Sequence, residues 1–308
     1  MTQPIILHHY ENSPYAEKVR LMFGLGNSHW QSLLSPPLPP RPNVDPLAGG
    51  YRRIPVAQIG ADILCDTDLI AREVAAMADL PALNPANLLG DARSLMQTAE
   101  KEVFFAAIVA VPAPRLLGTL LQLLGPIGAY RFVKDRSRLL QGGKARPPKA
   151  AEARATLQSF LDTLQNALAD SEWLSGEAPT VADFSVYHPL WLHVTTRRKP
   201  LDASPEVMRW YQRVAAIGHG RREEIGQEQA FAVARDAKPR PLPDSVEQPP
   251  VALGESVAVA PEDYGVVPVT GTLVALTDDR IIVARETDGF DTVHVHFPRA
   301  GYALSAEH

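Results

Sequence analysis

Residues 5–26 read IILHHYENSPYAEKVRLMFGLG. Ile5-Ile6-Leu7 is a short continuous apolar run, the pattern of a buried strand. Ser13-Pro14 predicts a helix start, because serine is a good N-cap and proline fits the first helical position. Tyr15, Val19, Met22 and Phe23 then recur at i, i+4, i+7 and i+8 on one face, and Gly24 and Gly26 end the helix. The serine therefore sits where unpaired N–H groups and about half a positive charge favour an anion such as a thiolate.

Working outward, a loop with Pro36, Pro37, Pro39, Pro40, Pro42 and Pro46 follows. Val56–Ile59 and Ile63–Cys65 flank Gly60-Ala61-Asp62 as a hairpin. A second helix starts near Asp66-Thr67 and is expected to bury Ile70, Val74 and Met77. Residues 85–236 read as helical throughout, with one apolar stripe on Leu157, Phe160, Leu161, Leu164 and Leu168 and another on Trp210, Tyr211, Val214 and Ile217. Thr180 and Asp183 have capping-box spacing, and Pro179 and Phe184 hold the positions of a hydrophobic staple, which is structural chemistry.

A second proline run, Pro239, Pro241, Pro243, Pro249 and Pro250, reads as an extended linker. Beyond it the pattern changes to period two. Ser256–Ala260, Val266–Leu276, Arg280–Arg285, Thr292–Phe297 and Gly301–Leu304 are short strands, with turns at Tyr264-Gly265, Asp278-Asp279 and Asp288-Gly289. Five strands in so short a segment predict a small β-barrel.

The 308 residues include 45% apolar ones, enough for real cores, and carry a formal net charge of −5. That balance supplies no phosphate-binding stripe and argues against a nucleic-acid partner. The single cysteine, Cys65, excludes an internal disulfide framework and any multi-cysteine metal site, points to a reducing cytoplasm, and is expected to be buried. His294 and His296 share one strand face without a third ligand at fixed spacing, so no metal is expected. MTQPIILHHY shows no secretory pattern. The apolar stretch Val103–Tyr130 is broken by Pro112, Pro114, Arg115 and Pro126, which predicts a buried or cleft-lining helix pair rather than a membrane span. Phe104, Phe105, Val111 and Leu116 in it either line a site for an apolar co-substrate or form ordinary helix core.

Ser13-Pro14-Tyr15 at a strand-to-helix turn, Ile54-Pro55-Val56 before a strand, Asp66-Thr67 at a helix start and Ser175–Phe184 (SGEAPTVADF) appear in order at family separations. By these the chain resembles the glutathione S-transferase superfamily over about residues 5–235, and the segment after 250 lies outside the common pattern. The resemblance implies a thioredoxin-like α/β domain at 1–83 and an all-helical domain at 84–238, while the proline run and the period-two pattern give a linker at 239–250 and the small β domain at 251–308. It further implies a cytoplasmic, homodimeric detoxification enzyme that uses glutathione as co-substrate against a small, apolar electrophile.

Site residues follow from the same likeness. Ser13 is the favoured donor to the glutathione sulfur, with Tyr10 and Asn12 as rivals. A charge-assisted bond of about 1.5–3 kcal/mol lowers a thiol pKa by about 1–2. From about 8.5, a fall of two raises the ionised fraction at pH 7 from roughly 3% to roughly 75%. Cysteine at this turn would suit mixed-disulfide chemistry, whereas serine suits conjugation. The likeness also implies a cis Ile54–Pro55 peptide, with the Val56 backbone pairing with the cysteinyl unit. Asp66 would hold the α-amine, Thr67 and its amide the adjacent carboxylate, and Arg53, or alternatively Arg52, the glycine carboxylate. Two other readings stand beside this one. One is a non-catalytic binding or regulatory protein of the same fold, consistent with the added β domain. The other is a glutathione-dependent isomerase or dehalogenase.

Overall fold

The strand and helix read from residues 5–26 are β1 (Ile5–His9) and α1 (Pro14–Leu25) in the computed structural model, which describes residues 4–245 and 251–307. Pro249 and Pro250 of the second proline run lie outside the described residues. β2 (His29–Leu34) runs parallel to β1, and after a short α2 (Asp45–Ala48) come β3 (Val56–Ile59) and β4 (Asp62–Cys65), both antiparallel to their inner neighbours. α3 (Thr67–Ala78) completes a thioredoxin-like unit. Ile70 and Val74 are buried in it, but Met77, in the last turn, is 44% exposed.

α4 (Gly90–Thr98), a π-helical turn (Ala99–Val103), α5 (Phe104–Val109), α6 (Ala113–Leu139), α7 (Ala150–Ala167), α8 (Val181–Arg197) and α9 (Pro205–Ala216) form the helical domain. Its core is continuous with α1 and α3, through Val19, Met22, Phe23, Ile70 and Val74 against Val103, Leu164, Phe184 and Trp210. The capping box at the start of α8 forms: Asp183 Oδ2 accepts from the Thr180 amide at 2.8 Å, and the Thr180 hydroxyl accepts from the Ala182 amide at 3.3 Å. Asp183 Oδ1 also accepts from Trp210 Nε1 at 2.8 Å, so one buried carboxylate ties the helix start to α9.

Three features depart from the expected pattern. First, residues 85–236 are not helical throughout: β5 (Arg221–Glu224) adds to the outer edge of β2 in parallel, followed by α10 (Gln227–Asp236). Its sequence RREE is mostly exposed and wholly charged, so no apolar alternation marks it. Second, the burial expected of the apolar stretch holds for Val103, Phe104 and Val111 and fails beyond them. In α6 only Thr119 and Ala129 are buried, and the helix kinks at Gly125 (φ 66°) before Pro126. By length and composition α6 is sufficient to cross a membrane.

Third, the C-terminal domain is β-rich as expected, and among the described residues its strands do not close into a barrel. β6 (Ser256–Pro261), β7 (Val269–Leu276), β8 (Arg280–Thr287), β9 (Phe290–Pro298) and β10 (Tyr302–Ala306) form an antiparallel set in the order β10-β6-β7-β8-β9. The free edge of β9 pairs in parallel with β4, Asp62 against His294 and Leu64 against His296, so it is not available to β10. One ten-stranded sheet results. Its apolar cluster joins Val56, Ile63 and Cys65 to Val257, Val283, Val295 and Phe297. At the seam Asp62, 1% exposed, accepts from His296 Nε2 at 2.7 Å and from the Arg240 amide at 2.9 Å.

Candidate active site

Strand directions bring the motif residues together. β1 ends at His9, β3 begins at Val56 opposite His8, and β4 ends at Cys65 opposite Val56, so the turn 10–13, Val56 and Asp66 share one end of the sheet. Ser13 has extended backbone (φ −80°, ψ 118°), and its Oγ accepts from the Ala16 amide at 3.2 Å, which makes it the N-cap of α1. Its amide donates to the Tyr10 carbonyl at 3.1 Å. Tyr10 packs beside the C-terminal apolar cluster, and Asn12 is exposed. The Ile54–Pro55 peptide is cis, and Val56 is fully buried.

Asp66 adopts φ 80°, ψ 142°, a conformation that costs a non-glycine residue of order 1–3 kcal/mol. Its Oδ1 accepts from the Asp68 amide at 3.1 Å and caps α3. Thr67 is buried, and its hydroxyl accepts from Lys18 Nζ at 3.4 Å. Lys18 is itself buried and pairs with Glu100 at 2.6 Å, which fixes α1 against the helical domain.

Residues far along the chain complete this end of the sheet. The Tyr302 hydroxyl donates to Asp66 Oδ2 at 2.9 Å and lies 2.5 Å from the Tyr51 hydroxyl. The Arg53 guanidinium lies 3.5 Å from Asp66 Oδ2, pairs with Asp263, donates to the Tyr264 carbonyl at 2.7 Å, and sits 4.1 Å from the centre of the Tyr264 ring. The Tyr264 hydroxyl donates to that of Tyr15 at 3.1 Å. Arg52 turns away and pairs with Asp135 of α6 at 2.5 Å. Burial pushes the phenols of Tyr15, Tyr51, Tyr264 and Tyr302 above the usual range, so each is a neutral hydroxyl near pH 7.

The neighbouring wall is aromatic. Phe104 stacks 4.7 Å from Tyr15, and Phe105 meets the edge of Tyr264 at 5.8 Å. His188, buried in the same wall 4.8 Å from Tyr15, is held neutral by its burial. Cys65 is buried, its thiol driven well up by desolvation, and it is inert as a nucleophile. Two surface clefts, of about 1050 and 600 Å³, lie elsewhere, the first between residues 237–239 and the β8–β9 turn and the second at the start of α6.

Sequence reading did not find Lys18, Tyr51, Tyr264 or Tyr302 in this cluster. Tyr264 registers in the sequence only as a turn residue, and nothing local links it to Arg53, 211 positions away.

The model of the glutathione S-transferase N-terminal domain matches residues 7–82, and that of the C-terminal domain matches residues 123–217. A GST-like protein from Pseudomonas syringae is 33% identical, covering 99% of this chain and 100% of its own, with a TM-score of 0.80. A glutathione S-transferase from Rhodospirillum rubrum F11 is 17% identical over 69% of this chain and 88% of its own, with a TM-score of 0.48. No curated protein matches the chain. The four motifs on a thioredoxin-like and a helical domain, with a full-length relative of the same architecture, place this chain in the glutathione S-transferase superfamily.

Proposed function

We propose that the protein is a glutathione-dependent transferase that activates the glutathione thiol for attack on a small, apolar electrophile. The observation that carries this reading is the convergence of the Ser13 N-cap, the start of β3 at Val56 and the strained Asp66 at one sheet end. Ser13 donates its hydroxyl to the sulfur, and the amides of the first turn of α1 favour the negative charge. The Val56 backbone orients the cysteinyl unit. Asp66 and Thr67 hold the γ-glutamyl end, with Arg53, 3.5 Å from Asp66, as the cation for the carboxylate at that end. In conjugation the sulfur–carbon bond forms as the carbon–halide bond of the electrophile breaks, and the thiol proton leaves to solvent. Phe104 and Phe105 supply the apolar wall for the electrophile. Within this reading the enzyme works in the cytoplasm as a homodimer, without nucleic acid, membrane or metal.

Retention on immobilised glutathione and turnover of a simple aryl halide test the proposal. Binding with turnover that falls on Ser13→Ala supports it, and absence of binding at millimolar glutathione rejects it. The contact of Tyr302 with Asp66 favours a second reading, in which the fold serves as a binding or regulatory protein without turnover. Glutathione binding without turnover, indifferent to Ser13→Ala, would select that reading.

A further inference from the structure

The added β domain does more than extend the sheet, because it reaches the end of the site where the γ-glutamyl group would lie. Asp66 has two carboxylate oxygens. Oδ1 is occupied by the Asp68 amide at 3.1 Å, and Oδ2 by the Tyr302 hydroxyl at 2.9 Å with the Arg53 guanidinium 3.5 Å away. An incoming ammonium that approaches Oδ2 meets a bound hydroxyl and a like charge, and must share or displace them. Arg53 is also committed, between Asp66, Asp263 and the Tyr264 carbonyl.

These contacts come from one edge of the C-terminal domain. Tyr302 opens β10 and pairs across to Pro261, where β6 ends and the loop carrying Asp263 and Tyr264 begins. That loop is held from behind by the segment after α6. The Gly265 amide donates to the Leu139 carbonyl at 2.6 Å, and the amides of Lys144 and Ala145 donate to the carbonyls of Glu262 and Asp263 at 3.0 and 2.8 Å. A Cβ at Gly143 would meet the Asp263 oxygen at 1.9 Å, so this close approach requires glycine. The pairing of β9 with β4 anchors the rest of the domain, and these contacts anchor the 262–265 loop, which leaves the Tyr302 side chain as the part that can give way.

We propose that the Tyr302 side chain is a gate on the α-amine subsite of the thiol site, its hydroxyl and the ligand's ammonium competing for Asp66. The inference rests on the proposed glutathione function and adds a determinant from outside the two family domains. It makes glutathione affinity depend on a hydroxyl that contributes nothing to the thiol end.

The test compares glutathione with deaminoglutathione, which lacks the α-amine, by titration calorimetry on the full chain. Tyr302→Phe removes only the hydroxyl and keeps the ring that packs 5.8 Å from Phe297. The variant is expected to bind glutathione about tenfold more tightly than the wild type, the worth of one hydrogen bond to a carboxylate, with deaminoglutathione changed by less than about twofold. Asp263→Asn, on an exposed residue, loosens Arg53 and is expected to tighten both ligands equally. Wild type and Tyr302→Phe binding glutathione equally overturns the gate and leaves the glutathione reading intact. Equal tightening of both ligands by Tyr302→Phe also overturns it, because the effect is then general loosening. Failure of every variant to bind either ligand removes the gate and the glutathione reading together.

Discussion

Replacing Ser13 by alanine removes two contributions that can be separated. The first is structural: Oγ accepts from the Ala16 amide at 3.2 Å, and loss of such a cap costs about 1 kcal/mol. The second is chemical: the hydroxyl proton, free to point at a bound sulfur, is worth about 1.5–3 kcal/mol there, which is about 1–2 in the thiol pKa. Ser13 is 1% exposed, so water does not stand in for the missing donor. Glycine at the same position keeps most of the cap, within a few tenths of a kcal/mol, yet also lacks the hydroxyl. The assay is a pH titration of the thiolate absorbance of bound glutathione, run beside urea unfolding of the same proteins. Ser13→Ala and Ser13→Gly should raise the bound thiol pKa by the same 1–2, roughly, while only the alanine variant loses about 1 kcal/mol of stability. An unchanged pKa in both variants would refute the role of Ser13 and turn attention to Tyr10. A rise in the alanine variant alone would show that Ser13 acts through the helix cap.

Further outcomes are expected elsewhere. Asp66→Asn keeps a residue that caps helices and tolerates positive φ, so unfolding should be little changed while glutathione binding weakens about tenfold or more in calorimetry. Burial drives the His8 imidazole down to about 4, so the unfolded chain takes up a proton that the folded one refuses between pH 6.5 and 4. Stability is therefore complete above pH 6.5 and falls below it, by about 2 kcal/mol at pH 5 from His8, and equal urea midpoints at pH 7 and pH 5 would contradict this. Asp62→Ala strips the buried seam of its carboxylate and leaves the buried His296 Nε2 without its partner, while Arg240 keeps Glu73, which should cost about 2 kcal/mol in urea unfolding. No loss there would mean that Asp62 does not help hold the two halves of the sheet together at the seam.

Legibility in the sequence followed the range of the interactions. The β1–α1 unit, the β3–β4 hairpin and the capping box of α8 are each decided by neighbours within a dozen residues, and their punctuation by Ser13, Gly60 and Thr180 is local chemistry. The five C-terminal strands were equally readable from alternation. What alternation does not carry is pairing across the chain: nothing in the TVHVHF run of residues 292–297 says that the second edge of their strand joins β4. β5 was invisible because a charged edge strand has no apolar period. The long α6 misled for the opposite reason, since an apolar composition predicts burial and the structure leaves Leu117, Leu123, Ile127 and Tyr130 largely exposed. At the site, the motif residues of the first domain could be named in advance, whereas Tyr264 and Tyr302 reach it only through the tertiary fold.

The two strands that flank the thioredoxin-like sheet have a consequence for how the chain is made. β5 begins at Arg221 and β9 at Phe290, so the first eighty or so residues leave the ribosome with both sheet borders bare. The β2 border stays unpaired until Arg221–Glu224 has been made, and the β4 border until β9 follows, just ahead of the strand that carries Tyr302. A fragment that stops short of β9 would therefore carry the motif residues of the first domain on a sheet with a bare β4 edge, which is prone to pairing with other chains.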